Sequence, residues 1–472
     1  MSEICHPQVP PARRVLLLCH EPVGETMAGP AIRYLELARV LSAEFEVRLA
    51  HTGASGVSVY GTPLLTFRYG QYEDLALAAG WADAIVVSGY LLHSFPQLAT
   101  CGKPLVVDIY DVFLFENLEH HRSLPLVDQS RAIAGDLGAI STMLGAGDFF
   151  ICATERQRDF WLGMLAANGR VNPWTYAGDR SLRSLVDIVP FGIQSRPPQK
   201  SPPLLKGVHP KIGADDKLLV WGGGLWDWLD PQTLVKAMAR VRERRSDVKL
   251  LFTVRRHADR STVPGMRAAV ETERLSGELG LLNEHVLFGN WVPYAERGGY
   301  LLEADLGASL HLAGCETHFA FRTRLLDYIW AGLPVVATGG DSMSDLIGAQ
   351  GLGRVASPGD VEGVAESILS LLAEEGLRAR LAPEFARVAE QLTWEKVAEP
   401  LRRFLVDPRL AADRLAGGRR VLQKQVPAVS ATGPTPYWLL PSRAIEALRR
   451  GGLRSLRWEA ERYWRWWRLS RR

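Results

Sequence analysis

Short runs of consecutive apolar residues alternate along the chain with longer segments of helical period. RVLLLCH (14–20), ADAIVVSG (82–89), KPLVVDIY (103–110) and GDFFICAT (147–154) read as strands that are apolar throughout rather than at every second position. Between the first two, AIRYLELARVLS (31–42) reads as a helix behind a loop containing glycine and proline. A strand that is apolar on both faces is covered on both faces, so the pattern predicts a mainly parallel sheet flanked by helices. LVDIVPFGI (185–193) reads as the last strand of this unit and its exit. The pattern then restarts. DDKLLVW (215–221) supplies a strand, three glycines turn the chain, and Asp230 and Pro231 supply an N-cap and a first helical position. DVKLLFTV (247–254), HVLFGNWV (285–292), ADLGASLHL (304–312) and LPVVAT (333–338) continue as strands. DVEGVAESILSLLAEEGL (360–377) and WEKVAEPLRRFLVD (394–407) close as helices.

The expected class is therefore α/β with two Rossmann-like domains. Residues 1–195 form the first, the Pro/Lys-rich stretch within 196–214 a linker, and 215–407 the second; 408–472 form a further linker and a helical tail. A chain of 472 residues is too long for one ordinary core. Two such domains facing one another would bind a ligand outside the carboxyl ends of their strands. No run of eighteen apolar residues marks a membrane span, and the opening apolar run reads as a first strand rather than a signal peptide. Five cysteines without paired or metal-like spacing suggest a reducing, cytoplasmic setting, with most of them serving as small buried hydrophobes. The net charge of +3 is uneven. From Arg443 onward ten arginines face three glutamates, leaving the rest of the chain at about −4. A general nucleic-acid binder is excluded. The tail's arginines, interleaved with Leu453, Leu456, Tyr463, Trp464, Trp466 and Trp467, suit the anionic inner face of a membrane, or packing of a terminal helix.

Candidate chemistry gathers at the strand ends. Gly222, Gly223 and Gly224 follow a strand, where backbone N–H groups can approach a phosphate; a plain tight turn is the alternative. Gly24 and Gly29 precede the first helix, with Arg33 one turn inside. In ETHFAFRTRLLDYIWAGLPVVATGGD, Arg322 and Arg324 can offer donors to a diphosphate and Thr323 a hydroxyl, with Glu316 ahead and Asp327 behind; solvent-facing ion pairs are the alternative. Arg255 and Arg256 end another strand. Asp108 and Asp111 stand where they could orient an acceptor hydroxyl or cap the following segment. For His20 and His93, packing or surface roles outweigh catalysis. Trp221 reads as core, whereas Trp226 and Trp228 could either stack or pack. No metal cluster, Walker motif or GxGxxG fingerprint appears.

These segments carry a resemblance. The glycine loop before Ala31, VPFGI, the glycines at 222–224 and ADLG…LLDYIWAGLPVVAT resemble the GT-B glycosyltransferases of the retaining family 4 type, from about Val15 to Leu405. The resemblance implies a nucleotide-diphosphate sugar donor on the second domain and an acceptor side on the first, with no cofactor and no metal. It places Asp327 at the family's second glutamate, which contacts the donor ribose. That family has seven residues between its two glutamates, a count that lands on Phe319, while ten residues lie between Glu316 and Asp327. The family's basic pair is absent from GGGLWDWLD, so Arg255, Arg256, Arg322 or Arg324 must take its place. The implied activity is sugar transfer to a carbohydrate or lipid-linked acceptor in cell-surface polysaccharide or glycoconjugate synthesis. The rivals are a sugar-nucleotide epimerase or pseudo-glycosyltransferase on the same fold, and a non-enzymatic protein recruited through its tail.

Overall fold

A computed structural model describes residues 14–53, 63–254 and 266–415, together with 453, 456, 457 and 460. Two compact units emerge. Residues 30–190 and 398–415, with the segment before residue 25, belong to the first, and 25–29 with 191–397 to the second. The sequence-drawn boundary at 407 therefore moves to Val397. The helix Glu399–Val406 packs with the first unit, where Phe404 stacks on Phe149 at 4.7 Å and Arg402 pairs with Glu44. Pro400 near the start of this helix separates it from Trp394–Val397, so the single helix expected over 394–407 is two.

The first unit holds a seven-stranded sheet: β1 (Arg14–Leu18), β2 (Glu46–His51), β3 (Leu64–Thr66), β4 (Ala84–Ser88), β5 (Leu105–Asp108), β6 (Phe149–Cys152) and β7 (Val186–Ile188). Its order is β3-β2-β1-β4-β5-β6-β7, with every printed pairing parallel. The strands read from sequence are present. The two that pattern missed, β2 and β3, are respectively interrupted by charge and three residues long. Val15 to Leu18 and Ile85 to Val87 are fully buried, as continuous apolarity requires.

The second unit repeats the plan with β8 (Lys217–Trp221), β9 (Val248–Phe252), β10 (Val286–Phe288), β11 (Leu306–Ser309), β12 (Val335–Thr338) and β13 (Gly353–Ala356), in the order β10-β9-β8-β11-β12-β13. β13 escaped the sequence reading because its residues are only partly buried. Asp230 caps the helix Pro231–Arg244 by accepting from Thr233 N at 3.0 Å. The 196–214 stretch is pinned within this unit: Glu303 accepts from the backbone N–H groups of Leu204, Leu205 and Lys206. Gly192, in VPFGI, lies against Trp394, where a Cβ would stand 2.8 Å from its backbone. In each unit the strand order reverses at its first strand, β1 beside β4 and β8 beside β11, which opens a crevice at the carboxyl ends.

Among the described residues no helix is long and apolar enough to cross a membrane. Of the four cysteines described, Cys19 and Cys152 are buried, Cys101 is half-buried and Cys315 is exposed.

Candidate functional site

In the second unit, the loop after β8 turns on Gly223, whose φ of +87° is the left-handed region that favours glycine. Its backbone donors are largely committed. Gly222 N donates to the Tyr328 hydroxyl at 2.9 Å, and Gly223 N donates to Thr253 Oγ1 at 3.1 Å. The Tyr328 oxygen also lies 2.9 Å from the carbonyls of Val220 and Ala308, so this tyrosine stitches the two strands flanking the crevice to the loop. Two of the three glycine N–H groups expected to approach a phosphate, those of Gly222 and Gly223, are thus engaged within the unit. Trp226 and Trp228, just beyond, stack on one another at 5.5 Å with planes 4° apart.

The segment after β11 brings Glu316 and Arg322 together. Arg322 donates from Nη1 and Nη2 to the two Glu316 oxygens at 2.8 and 2.5 Å, and from Nη2 to Thr317 Oγ1 at 3.2 Å. Both side chains are nearly fully buried. Nearby His311 is wholly buried. Its ring nitrogens face Ser309 Oγ at 3.1 Å and Thr338 Oγ1 at 3.3 Å, with Asp341 Oδ2 at 3.5 Å from Nδ1. Burial, then the charges of Arg322 and Arg324, hold the imidazole well below its ordinary range, so it is neutral. Asp341 caps the helix Ser342–Ala349, and burial raises its carboxyl. Neither His311 nor Asp341 was singled out from sequence. The available signal was a histidine ending an apolar strand, opposite the GGD that ends the next one.

Arg324 is different. In the helix Thr323–Trp330 it lies over the Trp221 ring, 4.4 Å from its centroid, and donates to Gly224 O at 3.1 Å. Its Nη1 is buried without a hydrogen-bond partner, and no carboxylate pairs with it among the described residues. Burial, only partly offset by Tyr328, lowers its pKa to about 10, so it stays charged near neutrality. Trp221 is core, fully buried, and also the face on which this cation rests. Asp327, one turn on, pairs instead with Arg297 at 3.1 Å, and its side chain is 41% exposed. Thr323 begins the same helix and is half-buried. Arg255 and Arg256 lie outside the described residues, as does the tail apart from Leu453, Leu456, Arg457 and Ala460.

In the first unit the same reversal point is lined by carboxylates and aromatics. Arg33 does not offer its guanidinium outward. It is fully buried, donating to both oxygens of Asp108 at 2.6 and 3.0 Å, to Pro190 O at 3.0 Å and to Val189 O at 2.8 Å. Asp108 is held in this pair and also lines the pocket of this unit. Gly24 and Gly29 have ordinary φ, and a Cβ would meet nothing at Gly24 and only the Phe191 ring at Gly29. A pocket of about 30 Å³ is lined here by Asp108 and Asp111, by His20, Tyr90 and Tyr110, and by Ser88, Gly89, Phe113 and Met143. His20 Nδ1 is hydrogen-bonded to Ser88 Oγ. Burial drops the histidine to about 4, keeping it neutral, while burial and then the Asp108 charge push Asp111 up to about 7. His20 was judged a packing residue from sequence, and Ser88 passed unnoticed at the end of its strand. Among the described residues no three His, Cys, Asp or Glu side chains converge as a metal site requires.

Residues 216–374 match the family model described as Glycosyl transferases group 1. A 133-residue segment, 28% of the chain, is 26% identical to the phosphatidyl-myo-inositol mannosyltransferase of Mycobacterium leprae (strain TN), of which it spans 34%, about a third of that protein's length. The fold is shared with the sucrose-phosphate synthase of Thermosynechococcus elongatus, at TM-score 0.58 and 14% identity over 88% of this chain and 100% of that one. It is shared too with Anabaena HepE, solved in complex with UDP and glucose, at TM-score 0.58 and 16% identity over 84% and 99%. The chain thus has the GT-B fold, and its second unit contains the segment that matches the Glycosyl transferases group 1 model.

Proposed function

We propose that this chain moves a sugar from a nucleotide-diphosphate sugar to a hydroxyl of a carbohydrate or lipid-linked acceptor, with retention of the anomeric configuration and without a metal. The observation that carries this reading is Arg324: a half-buried cation whose Nη1 is buried without a hydrogen-bond partner and which no carboxylate pairs among the described residues, set on Trp221 beside the glycine turn and inside the segment that matches the family model. A buried unpaired donor is costly, and a diphosphate would compensate it. In the reaction the bond between the anomeric carbon and the phosphate oxygen breaks. The acceptor oxygen bonds to that carbon from the same face, and its proton leaves with the departing nucleotide. Arg324 neutralises the charge that grows on the phosphate, the role otherwise given to a metal. Arg322 acts through Glu316, holding that carboxylate beside the donor sugar, and Asp327 contacts the ribose with the oxygen that Arg297 leaves. The first unit receives the acceptor.

The printed names of the relatives, a mannosyltransferase acting on phosphatidyl-myo-inositol and a protein holding UDP and glucose, support a sugar-nucleotide donor and a role in cell-surface glycoconjugate synthesis. The basic tail supports peripheral attachment beside a lipid-linked acceptor on the cytoplasmic side. The test is calorimetric titration of the whole chain with UDP-, GDP-, dTDP- and ADP-sugars, repeated on Arg324→Ala. Selective binding of one nucleotide that the variant loses supports the reading. No binding of any of them by the wild type overturns it, and a donor altered without an acceptor makes the protein an epimerase.

A further inference from the structure

We propose that the pocket at the β1–β4 reversal point selects an uncharged, hydroxyl-bearing ring of the acceptor and rejects a phosphate ester on that ring. This deepens the transferase reading and rests on it for the word acceptor, although the chemistry of the pocket stands by itself.

Phosphate recognition needs cationic or multiple N–H donors. Arg33, the arginine behind the pocket, cannot supply them. Four hydrogen bonds to Asp108 and two carbonyls hold its fully buried guanidinium, so turning it outward would leave Asp108 buried and uncompensated. None of the lining residues is a lysine or an arginine. What the lining presents is two carboxyl groups, Asp111 and the Arg33-paired Asp108, a neutral imidazole, His20, and the phenols of Tyr90 and Tyr110. Carboxylate and imidazole nitrogen accept hydrogen bonds, which matches the O–H donors of a sugar or polyol. A phosphate placed there would meet Asp111 with like charge. The space of about 30 Å³ is room for one or two water-sized groups, hence a hydroxyl and its carbon, with the rest of the ring lying along the tyrosines. Tyr90 is itself braced by Phe113 at 4.3 Å, and His20 by Ser88. The pocket is therefore preformed.

The test measures binding by saturation-transfer NMR on the full chain, with methyl glucoside against glucose 6-phosphate and myo-inositol against inositol 1-phosphate. The neutral member of each pair is expected to bind at least about tenfold more tightly, the scale of a like-charge clash. Asp111→Arg should reverse that order, and Asp111→Asn should narrow it, with circular dichroism confirming the fold of both. Equal or tighter binding of the phosphate esters, absence of binding by both neutral probes, or an Asp111→Arg variant that keeps the wild-type order would overturn the proposal. Nucleotide-sugar titration on the same samples separates the two readings. Failure there with the neutral preference intact sinks the transferase and leaves the pocket. Nucleotide binding with the preference reversed does the opposite.

Discussion

The two units share a strand order and a reversal point, yet they furnish it with opposite charge. At β8–β11 the free group is a cation, Arg324, with its neighbouring arginine cancelled by Glu316. At β1–β4 the arginine is the cancelled group, locked on Asp108, and the group left over is a carboxyl, Asp111. At its reversal point each unit thus buries one Arg–carboxylate pair and leaves one further residue, Arg324 or Asp111, outside that pair. In the proposed reading the pair forms the wall and the remaining residue meets the substrate. A duplicated architecture can in this way present an anion site and a hydroxyl site without changing a single strand connection.

The comparison breaks first at the pairs. Arg322→Ala strips Glu316 of its buried partner and is expected to cost the second unit about 3–5 kcal/mol, and Arg33→Ala to cost the first unit a similar amount. Segment-resolved hydrogen exchange reads which unit loosens. Protection lost in the other unit, or in neither, would contradict the assignment of these arginines as walls. Next is Arg324→Ala, which removes a charge-assisted contact of about 1.5–3 kcal/mol and should lower turnover roughly ten- to a hundredfold with little change in melting temperature. Turnover like wild type would leave the second unit without its distinguishing residue.

Acidity sharpens the contrast. Asp111 is pushed up to about 7, so it is neutral below that pH and ionised above it. Acceptor-dependent turnover should therefore rise as pH passes through about 7, while donor affinity at Arg324, charged up to about 10, stays flat. Asp111→Asn should abolish the rise; a limb that persists in the variant belongs to another group. The stability sign is opposite. A carboxyl raised in the folded state contributes stability that is full below its ordinary value of 3.8 and is lost progressively as pH climbs from there to about 7, so the melting temperature should fall across that interval and level off above it, while turnover is still rising. The smallest effect belongs to Asp327→Asn. Its partly exposed pair with Arg297 is worth under about 1 kcal/mol, and the proposed ribose contact adds a loss of donor affinity of about three- to tenfold. An unchanged dissociation constant by calorimetry takes Asp327 out of the site.

The sheets were legible because burial on both faces writes itself as unbroken apolar runs, as in Leu16 to Leu18 and Val335 to Val336. Exposed or short edges leave no such mark, which is why Leu64–Thr66 and Gly353–Ala356 were missed. The sequence singled out Glu316, Arg322 and Arg324 as candidates but could not say which arginine was already neutralised. That depends on a helical turn placing Arg322 six residues back onto Glu316 while Arg324 reaches Gly224, a hundred positions away. The occupied glycine loop was hidden for the same reason, since Tyr328 lies 106 residues from the amide it binds. Local pattern reports burial; partnership across the chain does not appear in it.

The return of residues 398–415 to the first unit has a consequence for how the chain is made. Arg170 and Asp413, paired in the core of that unit, are 243 residues apart, and Asp148 waits as long for Ala411 and Arg414. The second unit is an insertion in the first. As the polypeptide leaves the ribosome, the first sheet can assemble but must carry an unsealed flank, with Phe149 open to water, until the entire second unit has been synthesised. A chain stopped before Phe404 therefore lacks the ring that covers Phe149, and one stopped before Asp413 lacks the partner of Arg170.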